Sequence, residues 1–85
     1  MPFWIIMAQL KEDYKIYFEF NDGLKGIIDF ENKLKTDHRE IIRELIDKEK
    51  FTAIKIDRHT LCWENSVDFA PEYLYEQVIA QKNAA

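Results

Sequence analysis

The sequence predicts an α+β domain: a small antiparallel sheet, in the chain order β-β-β-α-β-β-α, with the helices packed on the sheet. Three patterns predict this class. Residues 13–30 alternate apolar and polar side chains on both sides of an Asn-Asp-Gly turn, as a β-hairpin does. Residues 41–46 carry apolar side chains at helical spacing, and Pro71 stands where a last helix begins. Antiparallel strands with helices packed on one side are typical of α+β folds.

The first strand is predicted at residues 3–9, where the sequence is FWIIMAQ. Apolar residues occupy both alternating positions. This strand is therefore expected to be covered on both faces, or to meet another subunit on one of them. The run is far too short to span a membrane, and it lacks the basic segment and cleavage site of a signal peptide. We therefore expect a cytoplasmic protein without membrane contact.

A β-hairpin is predicted from residue 13 to residue 30. Its first strand places Tyr14, Ile16, Phe18 and Phe20 on one face, and Lys15, Tyr17 and Glu19 on the other. The pair Asp22 and Gly23 supplies the positive φ angles that a tight turn requires. Residues 24–30, LKGIIDF, continue the alternation as the third strand.

A helix is predicted after the polar segment ENKLKTD, residues 31–37. Asp37 and Glu40 have the spacing of a capping box, in which two side chains bond the free N–H groups at a helix start. The apolar stripe of this helix consists of Ile41, Ile42, Leu45 and Ile46. Its charged residues are spaced as exposed pairs, so the opposite side is expected to face solvent.

The second half of the chain is predicted to form two strands and a helix. Residues 51–57, FTAIKID, form strand four, RHT turns the chain, and LCW returns as strand five. Pro71 then starts the last helix, since its missing N–H costs nothing in a first turn. The apolar stripe of that helix consists of Leu74, Tyr75, Val78 and Ile79.

The composition fits one small domain, residues 1–85, with a core over about residues 3–80. Hydrophobic residues make up 47% of the chain and charged residues 33%, the balance of a globular protein. The 16 acidic residues outnumber the 12 basic ones, which gives a net charge of −4 and disfavours direct binding of nucleic acid. Because Cys62 is the one cysteine, no intrachain disulfide can form, which favours a reducing compartment.

The sequence holds no pattern typical of catalysis, cofactor binding or metal binding. His59 and Cys62 flank a predicted turn, but a thiol on a short strand is more often buried and inert. The two histidines and the cysteine lack the spacing of metal ligands, and the two glycines belong to a hairpin rather than to a phosphate-binding loop. We therefore expect no enzyme activity, no cofactor and no metal.

The most specific motif lies near the end of the chain, where WENSVDFAPEYLY spans residues 63–75. Together with the hairpin, it resembles a widespread bacterial family of small domains of unknown function, whose members close with W-x-N-x-x-D-[LF]-x-P-x-x-L-Y. The matching residues are Phe20, Asp22, Gly23, Asp29, Trp63, Asn65, Asp68, Phe69, Pro71, Leu74 and Tyr75. The resemblance covers about residues 9–76.

The resemblance implies a regulatory protein rather than an enzyme. The family has no established enzymatic activity. Some relatives carry an added helix-turn-helix domain, and others resemble the smaller partner of a toxin–antitoxin gene pair. No such extra domain is expected here, so any DNA contact would have to come from a partner. Members usually have Pro and Gly around the motif asparagine, where this chain has Glu64 and Ser66, which predicts a locally different turn.

The motif residues also have structural roles available. A buried Trp63 would need an acceptor for its indole N–H. Asn65 tolerates turn geometry. Asp68 precedes the last helix, where a carboxylate can accept backbone N–H groups. Leu74 is predicted to fill the core, so a structural role is favoured over a ligand site.

These observations predict a protein-interaction module with a regulatory or antitoxin-like role. The partner is expected to be another protein or a second copy of the chain, because the aromatic residues and the apolar first strand leave surface to be covered. The candidate interaction surface consists of Trp4, Trp63, Glu64, Asn65, Ser66 and Tyr73. The alternative is a small ligand-binding protein or enzyme with a pocket near Trp63 and Asp68.

Overall fold

Two three-stranded antiparallel sheets form the framework of the domain in a computed structural model that describes residues 3–83. The first sheet has the order β1-β2-β3, with β1 at Ile5–Leu10, β2 at Lys15–Phe20 and β3 at Lys25–Asp29. The second has the order β4-β5-β6, with β4 at Ile54–Asp57, β5 at Thr60–Trp63 and β6 at Asp68–Phe69. The predicted α+β class is confirmed, but the strands divide between two sheets, and β6 was not predicted.

Short helices connect the two sheets, and a longer helix closes the chain. They are α1 at Glu31–Thr36, α2 at Glu40–Arg43, a 3₁₀ turn at Glu44–Ile46, α3 at Lys48–Phe51 and α4 at Pro71–Asn83. The single helix predicted after residue 37 is therefore a series of short segments that starts earlier, at Glu31. The prediction that the last helix begins at Pro71 is confirmed. Within residues 3–83, no helix combines the length and the apolar character that crossing a membrane requires.

The capping box predicted at Asp37 and Glu40 is wrong, because Asp37 ends α1 instead of starting a helix. Its backbone is extended, with φ −65° and ψ 140°. Its carboxylate accepts hydrogen bonds from the backbone N–H of Arg39 at 2.8 Å and from the Arg39 Nε at 3.0 Å. The Lys33 ammonium lies 2.8 Å from the other carboxylate oxygen. Arg39, rather than Asp37, is the N-cap residue of α2.

The apolar stripe predicted for the middle helix is only partly buried. Ile42 and Leu45 lie in the core, whereas Ile41 is 42% exposed. The chain changes from α-helix to a 3₁₀ turn after Arg43, which alters the angular spacing of the side chains. On α4, Ile79 of the predicted stripe is likewise 40% exposed.

The predicted hairpin of β2 and β3 is confirmed, with Phe18 opposite Gly26. Residues 21–24 join the two strands. The Phe20 carbonyl accepts a hydrogen bond from the Gly23 N–H at 3.0 Å, and the Phe20 N–H donates to the Leu24 carbonyl at 2.9 Å. Within this loop the positive φ is confined to Gly23, at 95°, so Asp22 does not need the left-handed conformation.

An aromatic cluster joins the two sheets. Its buried members are Phe18, Phe20, Phe30, Phe51, Trp63 and Phe69. The Phe30 ring stacks on Phe69 with 5.7 Å between centroids and meets Trp63 edge-on at 6.2 Å. Pairs of this kind each contribute about 0.5–1.5 kcal/mol beyond the burial of their area. The cluster therefore anchors the closing motif in the core.

α4 approaches β3 closely because Gly26 has no side chain. A Cβ atom at Gly26 would lie 2.7 Å from Cγ1 of Val78, which is fully buried. The Gln81 side-chain oxygen also accepts a hydrogen bond from the Asp29 backbone N–H at 2.9 Å. The helix therefore covers the sheet and also bonds the outer edge of β3.

Candidate functional site

Two turns that carry motif residues share one backbone arrangement. One connects β2 to β3 and the other connects β5 to β6. In the first, the Phe20 carbonyl accepts a hydrogen bond from the Gly23 N–H at 3.0 Å. In the second, the Trp63 carbonyl accepts one from the Ser66 N–H at 3.1 Å. The third turn residue has a positive φ in both, 95° at Gly23 and 74° at Ser66.

Asp22 attaches the first turn to α4. Its Oδ1 accepts a hydrogen bond from the Leu24 N–H at 3.0 Å, and its Oδ2 accepts one from the Tyr75 hydroxyl at 2.5 Å. The bond from Tyr75 holds the pKa of the Asp22 carboxyl below its usual value, because it stabilises the charged form. The same bond raises the pKa of Tyr75. The two motifs of the sequence are therefore joined by a contact that persists at neutral pH.

Asn65 has the equivalent position in the second turn. Its Oδ1 accepts a hydrogen bond from the Val67 N–H at 3.2 Å, and its Nδ2 donates to the Ile41 carbonyl at 3.1 Å. Both ends of the amide are thus used within the domain. Glu64 and Ser66, on either side, present their side chains to solvent.

Ser66 adopts the left-handed conformation that Gly23 has in the equivalent turn. Glycine would adopt this conformation without strain, since it has no Cβ to crowd the backbone. For a residue with a Cβ, this region costs roughly 1–2 kcal/mol. The serine at position 66 therefore makes the conformation of this turn less favourable than a glycine would.

Trp63 does not belong to an exposed surface. Its side chain is 2% exposed, among the rings of Phe30, Phe51 and Phe69. Its Nε1–H donates a 2.7 Å hydrogen bond to the Phe51 carbonyl, which confirms that the buried indole has an acceptor. Because the core surrounds the ring, the candidate interaction surface excludes Trp63.

The sequence predicted that Asp68 caps the start of α4. In the structure it does not have that role. It lies in β6, where it pairs with Cys62. The Ala70 carbonyl accepts the first helical hydrogen bond, from the Leu74 N–H at 3.1 Å. The extra strand β6 thus separates Asp68 from the helix start.

Tyr73 is half-buried and packs against the hydrophobic core. Its ring stacks on Phe69 with 5.5 Å between centroids. The Lys33 ammonium lies 5.9 Å from the ring centre. Tyr73 is therefore a weaker surface candidate than the sequence indicated.

Trp4 and His59 form an exposed aromatic pair beside β1. Their rings are 4.7 Å apart between centroids and nearly parallel, and Trp4 is 43% exposed. His59 lies in the turn between β4 and β5, where Arg58 and His59 have φ angles of 50° and 68°. Such conformations cost of order 1–3 kcal/mol at residues other than glycine. The sequence predicted Trp4 as a surface residue, but it carries no signal for a contact between the two sheets.

β1 presents an apolar surface without charged side chains. Ile6 is 63% exposed, Met7 45% and Leu10 36%, whereas Ile5 is buried. No residue from 3 to 10 is charged. β1 pairs with β2 on one side and with no other described strand, so its second edge is left without a partner strand in the described chain. We call the following exposed residues at and beside this edge strand the β1 surface: Trp4, Ile6, Met7, Leu10 and His59. Met7 pairs with Glu19 and Leu10 pairs with the buried Ile16, so these two side chains lie on opposite faces of the sheet.

Two open grooves border the β5–β6 turn. The larger, of about 430 Å³, is lined by Leu45, Glu49, Lys50, Ala53, Glu64 and Asn65. The smaller, of about 180 Å³, is lined by Arg39, Ile41, Ile42, Ser66, Val67 and Asp68. Trp63 lines neither groove, and Glu64 and Asp68 lie in different ones. The predicted pocket near Trp63 and Asp68 corresponds to two grooves, one lined by Asp68 and the other by Glu64 and Asn65 next to Trp63.

The residues considered for chemistry have structural contacts. The Cys62 Sγ is half-buried and lies 3.7 Å from the Thr60 carbonyl. The His59 ring stacks on Trp4. Within residues 3–83, no group of three or more His, Cys, Asp or Glu side chains is placed to hold a metal ion.

A family model described as "Protein of unknown function (DUF2442)" matches residues 5–80. The chain belongs to this family. The resemblance to a family of unknown function is thereby confirmed. Neither the comparison with curated proteins nor that with solved structures gives a match. In this DUF2442 chain, the motif residues Asp22, Asn65 and Trp63 have structural roles, and the exposed features lie beside them.

Proposed function

We propose that this DUF2442 chain is a protein-interaction module that binds its partner through the β1 surface. The observation that carries the proposal is the exposure of Ile6 and Met7 on an uncharged edge strand, and of Trp4 directly before it. An edge strand with unpaired backbone groups is a place where another chain can add. Exposed apolar side chains on it favour burial by that chain.

The other strand edges of the described chain are protected, which supports β1 as the place of binding. Gln81 bonds the backbone of Asp29 at the edge of β3. β4 carries the charged residues Lys55 and Asp57, and β6 has two residues. Short length, charges and covering groups are the usual means of preventing edge pairing. β1 has a bulge near its start, but residues 7–10 keep regular pairing with β2.

The partner is a protein, either a second copy of the chain or a different one. The net charge of −4 supports a protein rather than a nucleic acid. A regulatory, antitoxin-like role is proposed from the resemblance stated above, because relatives carry a helix-turn-helix domain or resemble one half of a toxin–antitoxin pair. Co-expression with the product of the neighbouring gene, followed by purification of the two as a complex, tests that role.

Light scattering over a range of concentrations tests self-association, and co-purification from the native host tests binding to another protein. We expect light scattering to show a dimer, or co-purification to recover one other protein in stoichiometric amount. Ile6→Lys should abolish that association and leave the melting temperature unchanged, because Ile6 is 63% exposed. Ile79→Lys makes the same change at a 40% exposed position on α4 and should keep the association.

Two results would contradict the proposal. One is a chain that stays monomeric at every concentration and recovers no partner. The other is an equal loss of association in both lysine variants, because the added charge and not the β1 surface would then be responsible.

The larger groove supports a second candidate function, a small ligand-binding protein or enzyme. Its volume of about 430 Å³ lies within the range of ligand pockets, about 300–1,000 Å³. Thermal denaturation with panels of metabolites and metal ions tests this candidate, because a ligand that prefers the folded state raises the melting temperature. The absence of any rise across a broad panel would count against it.

A further inference from the structure

We infer that the larger groove binds an arginine side chain from a basic segment of a partner protein. The groove lies between α3 and the β5–β6 turn, and its lining shares no residue with the β1 surface. This inference goes beyond the proposed function, because the two binding places can be tested independently.

The groove has uncompensated negative charge. Glu49 and Glu64 are exposed, and neither carboxylate has an ion-pair partner within residues 3–83. Lys50, the cation among the lining residues, already lies 3.4 Å from the Glu44 carboxylate. A cation that enters the groove would therefore meet two carboxylates that no described cation neutralises. The net charge of −4 also attracts a basic partner at longer range.

The groove also has an apolar part, formed by Leu45 and Ala53. Leu45 is fully buried, so the half-buried Ala53 supplies the accessible apolar surface of this part. A side chain with a hydrocarbon stem and a cationic end uses both kinds of lining. Arginine is favoured over lysine, because its planar guanidinium carries five N–H donors and can bond carboxylates in pairs.

The turn that carries Glu64 is held in place before binding. The amide of Asn65 uses both of its ends within the domain, on Val67 and Ile41. Trp63, at the start of the turn, is buried and bonded to Phe51. A site that needs no ordering when it binds loses less free energy to conformational entropy.

NMR titration of the ¹⁵N-labelled full chain with a short peptide containing two arginines, and otherwise Gly, Ala and Ser, tests the inference. We expect amide shifts at Glu49, Ala53, Glu64 and Asn65, and an affinity that falls as salt is added. A matched peptide with citrulline in place of arginine keeps the shape without the charge and should not bind. A lysine peptide should bind more weakly than the arginine peptide.

The double variant Glu49→Gln/Glu64→Gln should weaken binding of the arginine peptide roughly five- to tenfold, because two exposed ion pairs are lost. Glu72→Gln/Glu76→Gln makes the same change of charge on exposed positions of α4 and should leave the affinity unchanged. Both double variants should keep the melting temperature, since these carboxylates are exposed.

Any of four results would overturn the inference: no shifts with millimolar arginine peptide, shifts away from the groove, equal binding of the citrulline or lysine peptide, or equal weakening by the two double variants. Ile6→Lys should leave this titration unchanged. Failure of the groove inference is therefore distinguishable from failure of the proposal for the β1 surface.

Discussion

The Tyr75 hydroxyl donates a 2.5 Å hydrogen bond to the Asp22 carboxylate across 53 positions of sequence. The bond joins the β2–β3 turn to α4, and so connects the two parts of the sequence that resemble the family. The Tyr75 ring is held by its neighbours, since Phe3 stacks on it at 4.0 Å and Phe20 meets it edge-on at 5.2 Å. The hairpin turn and the closing motif are therefore one structural unit.

Tyr75→Phe removes this bond and keeps the ring, so we expect a lower urea midpoint of unfolding. Asp22→Asn should act in the same direction. The double variant should be little less stable than either single variant, because both single changes break the same contact. Urea unfolding of the four proteins measures this coupling. Strictly additive losses would contradict a direct interaction.

Ser66→Gly is expected to raise the free energy of unfolding by up to about 1.5 kcal/mol. The change removes a left-handed strain of roughly 1–2 kcal/mol, and the flexibility of glycine offsets about 0.5–1 kcal/mol of that gain. The φ of 74° at Ser66 is the observation on which this rests. Calorimetry should show a higher melting temperature, whereas the control Ser66→Ala, which keeps the Cβ, should show no increase. A gain of equal size in both variants would mean that the hydroxyl, not the backbone, is responsible.

Gly26→Ala is expected to destabilise the domain by about 1–3 kcal/mol, the cost of overpacking. The added Cβ would lie 2.7 Å from Cγ1 of Val78, so the helix or the strand has to move. In a Val78→Ala background the opposing methyl group is absent, and the same change should cost less. Denaturant unfolding of the four combinations separates the two contributions. An equal cost in both backgrounds would place the effect in the strand and not in its contact with α4.

We expect the domain to lose folding stability in acid as the carboxylate of Asp37 becomes protonated. Hydrogen bonds from Arg39 and then from Lys33 hold the pKa of the Asp37 carboxyl far below its usual range. Since the folded state lowers this pKa, the contribution is complete above about pH 4, near the pKa of an unfolded aspartate, and is lost as the pH falls below that value. Asp37→Asn should therefore melt at a lower temperature than the natural chain at neutral pH, and the difference should shrink near about pH 2.5.

Circular dichroism at the two pH values measures this difference. Asp57→Asn, a change at an exposed position of β4, is the matched control and should leave the melting temperature unchanged at both. A difference between the Asp37 variant and the natural chain that stays constant with pH would show that ionisation of Asp37 does not contribute.

Features that depend on neighbours in the chain could be predicted from the sequence. The β2–β3 hairpin follows from a period of two and from Gly23, the one turn residue that must take a positive φ. The start of α4 follows from Pro71, whose ring and missing N–H allow a first helical turn but not an interior one. The buried alternation of Ile16, Phe18 and Phe20 belongs to the same class of local signal.

Features that depend on which segments meet were decided by the tertiary structure. The carboxylate of Asp37 has the spacing of a helix cap, yet its bonds go to Arg39 and Lys33 at the point where α1 ends and α2 begins. Trp63 was expected at a surface, yet the ring lies in the core because Phe51 offers it an acceptor and a packing partner. Neither outcome is encoded in the spacing of residues along the chain.

The same distinction between local and long-range features applies to the candidate sites. Composition and charge by themselves determined that the chain is a small acidic domain with an uncharged apolar first strand. The contact of Trp4 with His59 and the groove between Glu49 and Glu64 exist only because the second sheet lies against the first and the β5–β6 turn lies beside α3. Exposure and proximity are properties of long-range contacts, so only the folded chain shows which side chains are left for a partner.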